Sequence, residues 1–371
     1  MMMKMAATCL FGLEGLAAEE LRLMDAENVT AENGRVFFEG DETILARANI
    51  WSRYSERILI VLDMFKAHTF EELFQGVRVL PWSEFIGSKD EFPVKGFSIN
   101  STLHSVPDCQ KIIKKAIVES LKEDYNVSWF EETGPIHQVQ FSIMKDEVTM
   151  MFDTSGRGLH KRGYRPVGND APIRETLAAA MCRLSQLRHY HTMYDPCCGS
   201  GTVLIEGAML ANNIAPGINR NFDVDRWGFV PESVWMSERE RCRDLIKTDV
   251  DFVAFGSDID PKAVELTMKN AKNINVDKFI HTSVCDIARF NPTTERGTLI
   301  TNPPYGERLL DIRSAEKIYR IMGEKFVSKR GWSYGIISPD EEFEKCFGRK
   351  ADKRRKLYNG MIKCQYYMYF K

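Results

Sequence analysis

Long apolar runs, paired cysteines and an excess of charge are all missing from this 371-residue sequence. The first apolar stretch, Ala6 to Leu23, is broken by Glu14, Glu19, Glu20 and Arg22, so it reads as neither a signal peptide nor a membrane span. Nine cysteines are scattered from Cys9 to Cys364 without metal-ligand spacing, and the one adjacent pair, Cys197–Cys198, lies in a glycine turn. The expectation is a cytoplasmic protein with reduced thiols, no metal and no membrane partner. A formal net charge of -2 gives no global electrostatic footprint, so any basic surface for nucleic acid has to be local. With 44% hydrophobic and 27% charged residues and no repeat or low-complexity tract, the chain should fold throughout, as two or three domains.

Residues 1–59 alternate short apolar runs with helical patterns (TCLFGL, LAAEELRLM, RVFFEG, ILARANIW) and predict a small α+β unit. Residues 60–163 predict a second one. Its helix, KIIKKAIVESLKEDY, places Ile112, Ile113, Ala116, Ile117 and Leu121 on one face and Lys111, Lys114, Lys115 and Lys122 on the other. The strands HQVQFSIM and EVTMMFDTS predict a hairpin around Lys145-Asp146. A glycine- and arginine-rich crossover, residues 156–169, then leads into residues 164–371, where strands and helices alternate as in a doubly wound α/β sheet. The cations of the helix, Lys111, Lys114 and Lys115, and of the crossover, Arg162 and Arg165, are candidates for phosphate contacts, or else belong to a solvated helix face and a charged linker. The basic run Lys350–Lys356 carries the same two readings and is expected in a terminal strand pair; Arg220, Phe222 and Trp227 of a 212–247 insert either flank the base pocket or, as such aromatics more often do, belong with the insert's own small core, and they are left outside the site.

The run TMYDPCCGSGTVLIEGAMLAN, 192–212, reads as strand, glycine turn and helix. Gly199 and Gly201 allow a close backbone approach, and the helix N-terminus offers free N–H groups to an anion. A P-loop is excluded, because GxxxxGK[ST] is absent; a dinucleotide fingerprint is disfavoured by Leu204 at the third glycine position. The next strand ends in Asp258, placed to accept from a ribose diol, with Asp260 left to cap the following helix; the reverse use of Asp258, as a cap, is the competing reading. A third strand ends in Asp286, a candidate acceptor for an adenine amino group or else a turn aspartate. Asp195 closes the first strand, and together with Gly199, Gly201, Asp258 and Asp286 it makes the expected cofactor set.

TNPPYGERL, 301–309, follows the apolar strand GTLI. Ligands bind at the carboxyl ends of strands in open α/β sheets, so Asn302 should share one crevice with the carboxylates. An exocyclic amino nitrogen is a poor nucleophile because its lone pair is delocalised into the ring. Two acceptors, the Asn302 amide oxygen and the Pro303 carbonyl, can hold its two N–H groups and aim the lone pair at a methyl donor. Pro303 and Pro304 stiffen that carbonyl, and Tyr305 offers a ring face to a flipped base. The pattern points to in-line methyl transfer from S-adenosylmethionine without a metal.

With NDAPIRETLAAAM, DPCCGSGT, GSDID, CDI and TNPPYGERL in order, residues 164–371 resemble the UPF0020 class of RNA methyltransferases. FSINSTLHSVPDCQKIIKKAI and FDTSGRGLHKRGYR resemble a THUMP RNA-binding domain, preceded by a ferredoxin-like unit. The chain is similar to the first half of bacterial 23S rRNA guanine-N2 methyltransferases, and the resemblance implies guanine N2 in RNA, with rRNA ahead of tRNA. It also implies that the glycine turn, Asp258 and Asp286 touch S-adenosylmethionine. DNA adenine-N6 methylation uses the same chemistry and is opposed by the N-terminal half. A noncatalytic RNA-binding assembly factor is opposed by the intact motifs.

Overall fold

The computed structural model describes residues 2–165, 173–305 and 312–370. The N-terminal half runs β1 (Met3–Cys9), α1 (Glu14–Leu23), β2 (Glu27–Glu32), β3 (Arg35–Gly40), α2 (Glu42–Trp51), β4 (Ser55–Lys66), α3 (Phe70–Arg78), β5 (Val94–Ile99), α4 (Val106–Tyr125), β6 (Val139–Met144) and β7 (Glu147–Asp153). The order β1-α1-β2-β3-α2-β4 is the ferredoxin-like pattern expected for the first unit. In α4, Ile113, Ala116, Ile117 and Leu121 are fully buried, and each large one contributes about 2 kcal/mol of burial. The β6–β7 hairpin turns at Lys145 and Asp146, both with positive φ as a two-residue type I′ turn requires.

The expected division between the two N-terminal units falls inside a strand. All seven strands form a single sheet, β2-β3-β1-β4-β7-β6-β5, and β4 runs through the 59/60 division without a break. It pairs with β1 along its first half and with β7 along most of its length, so it completes both units at once.

The second half comprises α5 (Glu175–Leu184), β8 (Thr192–Asp195), α6 (Thr202–Ala211), α7 (Glu232–Asp244), β9 (Val253–Asp258), α8 (Pro261–Asn273), β10 (Ile280–Val284), β11 (Gly297–Thr301), α9 (Ile312–Lys325), β12 (Trp332–Ser338), α10 (Phe343–Phe347), β13 (Lys353–Asn359) and β14 (Ile362–Tyr369). Its sheet has the order β10-β9-β8-β11-β12-β14-β13, with β14 antiparallel to both neighbours and the first five strands parallel. The doubly wound class is therefore as the alternation predicted. From β8 the chain builds outward to β9 and β10, then crosses back to β11, so the topological switch point lies between β8 and β11. One hydrophobic cluster extends through both halves of the molecule.

Candidate active site

The glycine turn between β8 and α6 is held from outside by α8. Thr267 Oγ1 donates to the Gly199 carbonyl (2.8 Å) and Asn270 Nδ2 to that of Ser200 (2.9 Å). Gly201, at φ +79°, is the N-cap of α6, and a Cβ there would fall 2.6 Å from Thr267 Cγ2. Gly199, at φ +53°, is different: a Cβ would meet nothing within 4 Å. The first glycine thus borders open space, whereas the second is fixed by packing.

Each predicted carboxylate has a local partner. Asp258 accepts from Gly199 N (2.9 Å) and Asp260 N (3.0 Å), one on each oxygen, and retains further acceptor capacity. Asp260 caps α8 through Lys262 N, as its position after the strand suggested. Asp286 is exposed and caps a short 3-10 turn through Ala288 N (2.8 Å). Asp195 is buried at 1% exposure and bridges the switch point: its Oδ1 accepts from Thr301 Oγ1 (2.7 Å) at the end of β11 and from Cys197 N (3.1 Å). Burial pushes its carboxyl up to about 7, with Asp258 adding to the rise and the two hydrogen bonds opposing it.

Asn302 follows β11 directly. Its Oδ1 is buried and has no hydrogen-bond partner among the described residues. An unpaired amide oxygen in a buried setting costs on the order of 1–3 kcal/mol, a cost that a donor on a bound molecule would offset. Tyr305 is 6% exposed, and its hydroxyl accepts from Asn359 Nδ2 at the end of β13. In this conformation its ring is covered rather than open to a base, which differs from the stacking role expected of it. Sequence reasoning missed Asn359, since no motif surrounds it. Residues 306–309 of the catalytic run and 169–172 of NDAPIRETLAAAM lie outside the described residues.

Of the cations offered for RNA, three are engaged elsewhere. The Arg162 side chain is fully buried between the halves, donating to the carbonyls of Leu159 (2.7 Å) and Arg53 (2.6 Å) and lying 3.4 Å from Glu206. Arg165 pairs with Glu175 and donates to Thr202 Oγ1. Lys114 is half-buried against the Phe92 ring and bonded to Glu132. Arg162 therefore cannot reach a phosphate, and Arg165 and Lys114 are already paired. Lys111 and Lys115 remain exposed, with loose partners in Asp108 and Glu119 at 3.7 and 3.8 Å. A usable signal for Arg162 did exist: Glu206 is the lone charge in the apolar helix TVLIEGAMLA, and such a charge demands a buried partner. The insert's aromatics stay out of the site but do more than pack on each other. Phe222 stacks on Trp235, whereas Trp227 stacks on His137 (4.4 Å, 21°) and donates Nε1 to the Ile136 carbonyl of the other half.

Comparison with known proteins agrees with this architecture. Residues 162–368 match the model of the RMKL-like methyltransferase domain, UPF0020; residues 4–59 match an RlmL ferredoxin-like domain and residues 67–153 a THUMP domain. A Bacillus subtilis protein named as an RNA methyltransferase, YpsC, is 42% identical over 98% of this chain and 95% of its own length. The ribosomal RNA large subunit methyltransferase K/L of Cellvibrio japonicus is 32% identical over 98% of this chain, which spans only 50% of that relative. Among solved structures, a Listeria monocytogenes protein described as a predicted N6-adenine-specific DNA methylase superposes with TM-score 0.94 at 42% identity, covering 100% of this chain and 96% of that one. A methyltransferase solved in complex with SAH superposes with TM-score 0.93 at 40% identity, covering 100% and 98%.

Proposed function

The chain belongs to the UPF0020 family of RMKL-like methyltransferases, and we propose that it methylates the exocyclic N2 of guanine in RNA, with 23S rRNA as the substrate. It is an S-adenosylmethionine-dependent RNA methyltransferase by family, with no helix among the described residues long and apolar enough to cross a membrane. The buried Asn302 Oδ1, without a hydrogen-bond partner among the described residues, carries the reading, because an amino group would supply the donor.

The residues present fit the cofactor. Gly199 leaves room where a side chain would begin, and Asp258 and Asp286 stand at successive strand ends with acceptor capacity for the ribose diol and the adenine amino group. Bound S-adenosylmethionine supplies an electrophilic methyl group. Asn302 Oδ1 and the Pro303 carbonyl each accept one amino N–H of the base, which pyramidalises the nitrogen and directs its lone pair. Pro303 and Pro304 limit the backbone freedom of that acceptor. Tyr305, tied to Asn359, anchors the end of the motif, and stacking on its ring requires the cover over it to move.

The THUMP match favours RNA, and the K/L relative's name favours rRNA over tRNA. Adenine N6 in DNA is the second reading, favoured by the description of the Listeria structure and by the same amide acceptor. Methylation of undermethylated 23S rRNA in vitro, followed by nucleoside mass spectrometry, should yield N2-methylguanosine. N6-methyladenine formed in DNA, with RNA left unmodified, would replace the proposal with the second reading.

A further inference from the structure

The stretch from Arg349 to Lys363 holds seven cations against one acid, in a chain whose net charge is -2. It builds β13, the edge strand of the second sheet, and the tip of the β13–β14 hairpin. Part of this charge is used locally. Arg354 pairs with Glu344 of α10, and Arg349 lies over the Tyr369 ring. Lys353, Lys356 and Lys363 are exposed, with no carboxylate partner among the described residues. Lys356 and Lys363 share one face of the hairpin with Tyr358, since Tyr358 is directly opposite Lys363 and Lys356 opposite Gln365.

The position of this face decides its use. The last β12–β14 pair is Ser338 with Gln365, so the hairpin runs three residue pairs beyond the carboxyl end of the sheet, about 10 Å. At that end Asn359 bonds the Tyr305 hydroxyl of the catalytic motif, and Met361 at the tip is 95% exposed. The N-terminal half adds an aromatic to the same place. The loop between β1 and α1 lies against the outer edge of β13, where Arg355 Nη2 donates to the Gly12 carbonyl (2.8 Å) and a Cβ on Gly12 would fall 2.5 Å from the Lys356 carbonyl oxygen. This holds Phe11, 55% exposed, edge-on to Tyr358 with ring centroids 6.0 Å apart. A sheet edge covered by a loop explains the backbone contact. It does not explain why an exposed Phe11 and a half-buried Tyr358 stand beside the catalytic motif with Lys356 over the Tyr358 ring (5.4 Å) and Lys363 opposite it, neither lysine having a carboxylate partner among the described residues.

We infer that the β13–β14 hairpin tip, together with Phe11, is the platform on which unpaired RNA nucleotides next to the target base rest, their bases on Phe11 and Tyr358 and their phosphates on Lys356 and Lys363. Aromatic faces interleaved with cations are what single-stranded RNA selects, because every base has a stacking face and every linkage a charge. The inference deepens the proposed function and rests on its RNA reading.

The test uses the full-length protein and a fluorescein-labelled single-stranded oligouridylate of about 15 nucleotides. The double variant Lys356→Gln/Lys363→Gln should lose about tenfold in affinity at low salt, and its log–log salt dependence should become shallower by roughly 1.4. Phe11→Ala should lose about fivefold or more. S-adenosylhomocysteine binding by calorimetry should be unchanged in every variant, which separates these effects from misfolding; the surface lysine pair remains informative if Phe11→Ala does not fold. Oligouridylate affinity and salt slope unchanged in the lysine variant, with cofactor product binding intact, overturns the platform. Wild-type protein that binds oligouridylate no better than a DNA duplex of equal length overturns the RNA reading on which it rests.

Discussion

Asn302 and Asp195 stand at the ends of adjacent strands, the first with an amide oxygen that has no donor among the described residues and the second with a carboxyl shielded from solvent. Asn302→Ala removes the acceptor without touching the glycine turn, so methyl incorporation should fall at least about a hundredfold while the affinity for S-adenosylhomocysteine changes little. Turnover near the wild-type rate would dismiss the role given to the amide. Asp195 makes a pH prediction. A carboxyl raised to about 7 by burial keeps in the folded chain a proton that the unfolded chain releases near pH 4, so its contribution to stability is lost as pH rises from about 4 to about 7. Glu20, also raised to about 7 by burial, acts with the same sign. Asp195→Asn should therefore lose less stability than the wild type across that window, measured as Tm by scanning calorimetry; parallel curves would contradict it. At this scale the sequence was readable where chemistry is local. The reading of Asn302 rests on four consecutive residues, and Asp260 was placed as a cap from its position before a helix. Arg162 was misjudged because charge reads as exposure until the partners are known, and its acceptor Arg53 and neighbour Glu206 lie 109 and 44 residues away.

Among the elements, the glycine turn separates two demands that its sequence merges. Gly201→Ala places a methyl carbon against Thr267 and should cost about 2 kcal/mol or more in urea unfolding, with strain from the positive φ included. Gly199→Ala meets no neighbour and should cost only about 1 kcal/mol, yet lower the affinity for S-adenosylhomocysteine by tenfold or more, because its methyl enters the space assigned to the cofactor. The opposite ranking in either measurement would reassign the open side of the turn. Strand and helix periodicities made most elements legible, including the Lys145-Asp146 hairpin and the buried face of α4. The continuity of β4 was not legible. An apolar run such as ILIVLDMF shows that a strand is buried, but not that its two flanks complete different units.

For the whole molecule, the two halves are joined by more than a linker. Arg47 of α2 forms a two-pronged pair with Glu238 of α7, Arg53 donates to the Ile214 carbonyl, and Trp227 stacks on His137. Removing one member of a buried ion pair costs about 3–5 kcal/mol, so Arg162→Ala should destabilise the protein while leaving its salt-dependent RNA affinity nearly unchanged. With one core spanning both halves, calorimetry on the intact chain should show a single transition, and two resolved transitions would mean that the interface adds little. Apart from the lone charge of Glu206 in an apolar helix, none of these contacts was visible in the sequence, since each joins segments far apart that carry no shared pattern. The unbroken β4 also bears on dissection. A chain cut at 59/60 would sever a central strand and leave each fragment with an open ladder of unpaired N–H and C=O groups, an invitation to aggregate. The two N-terminal units should therefore be expressed as one piece.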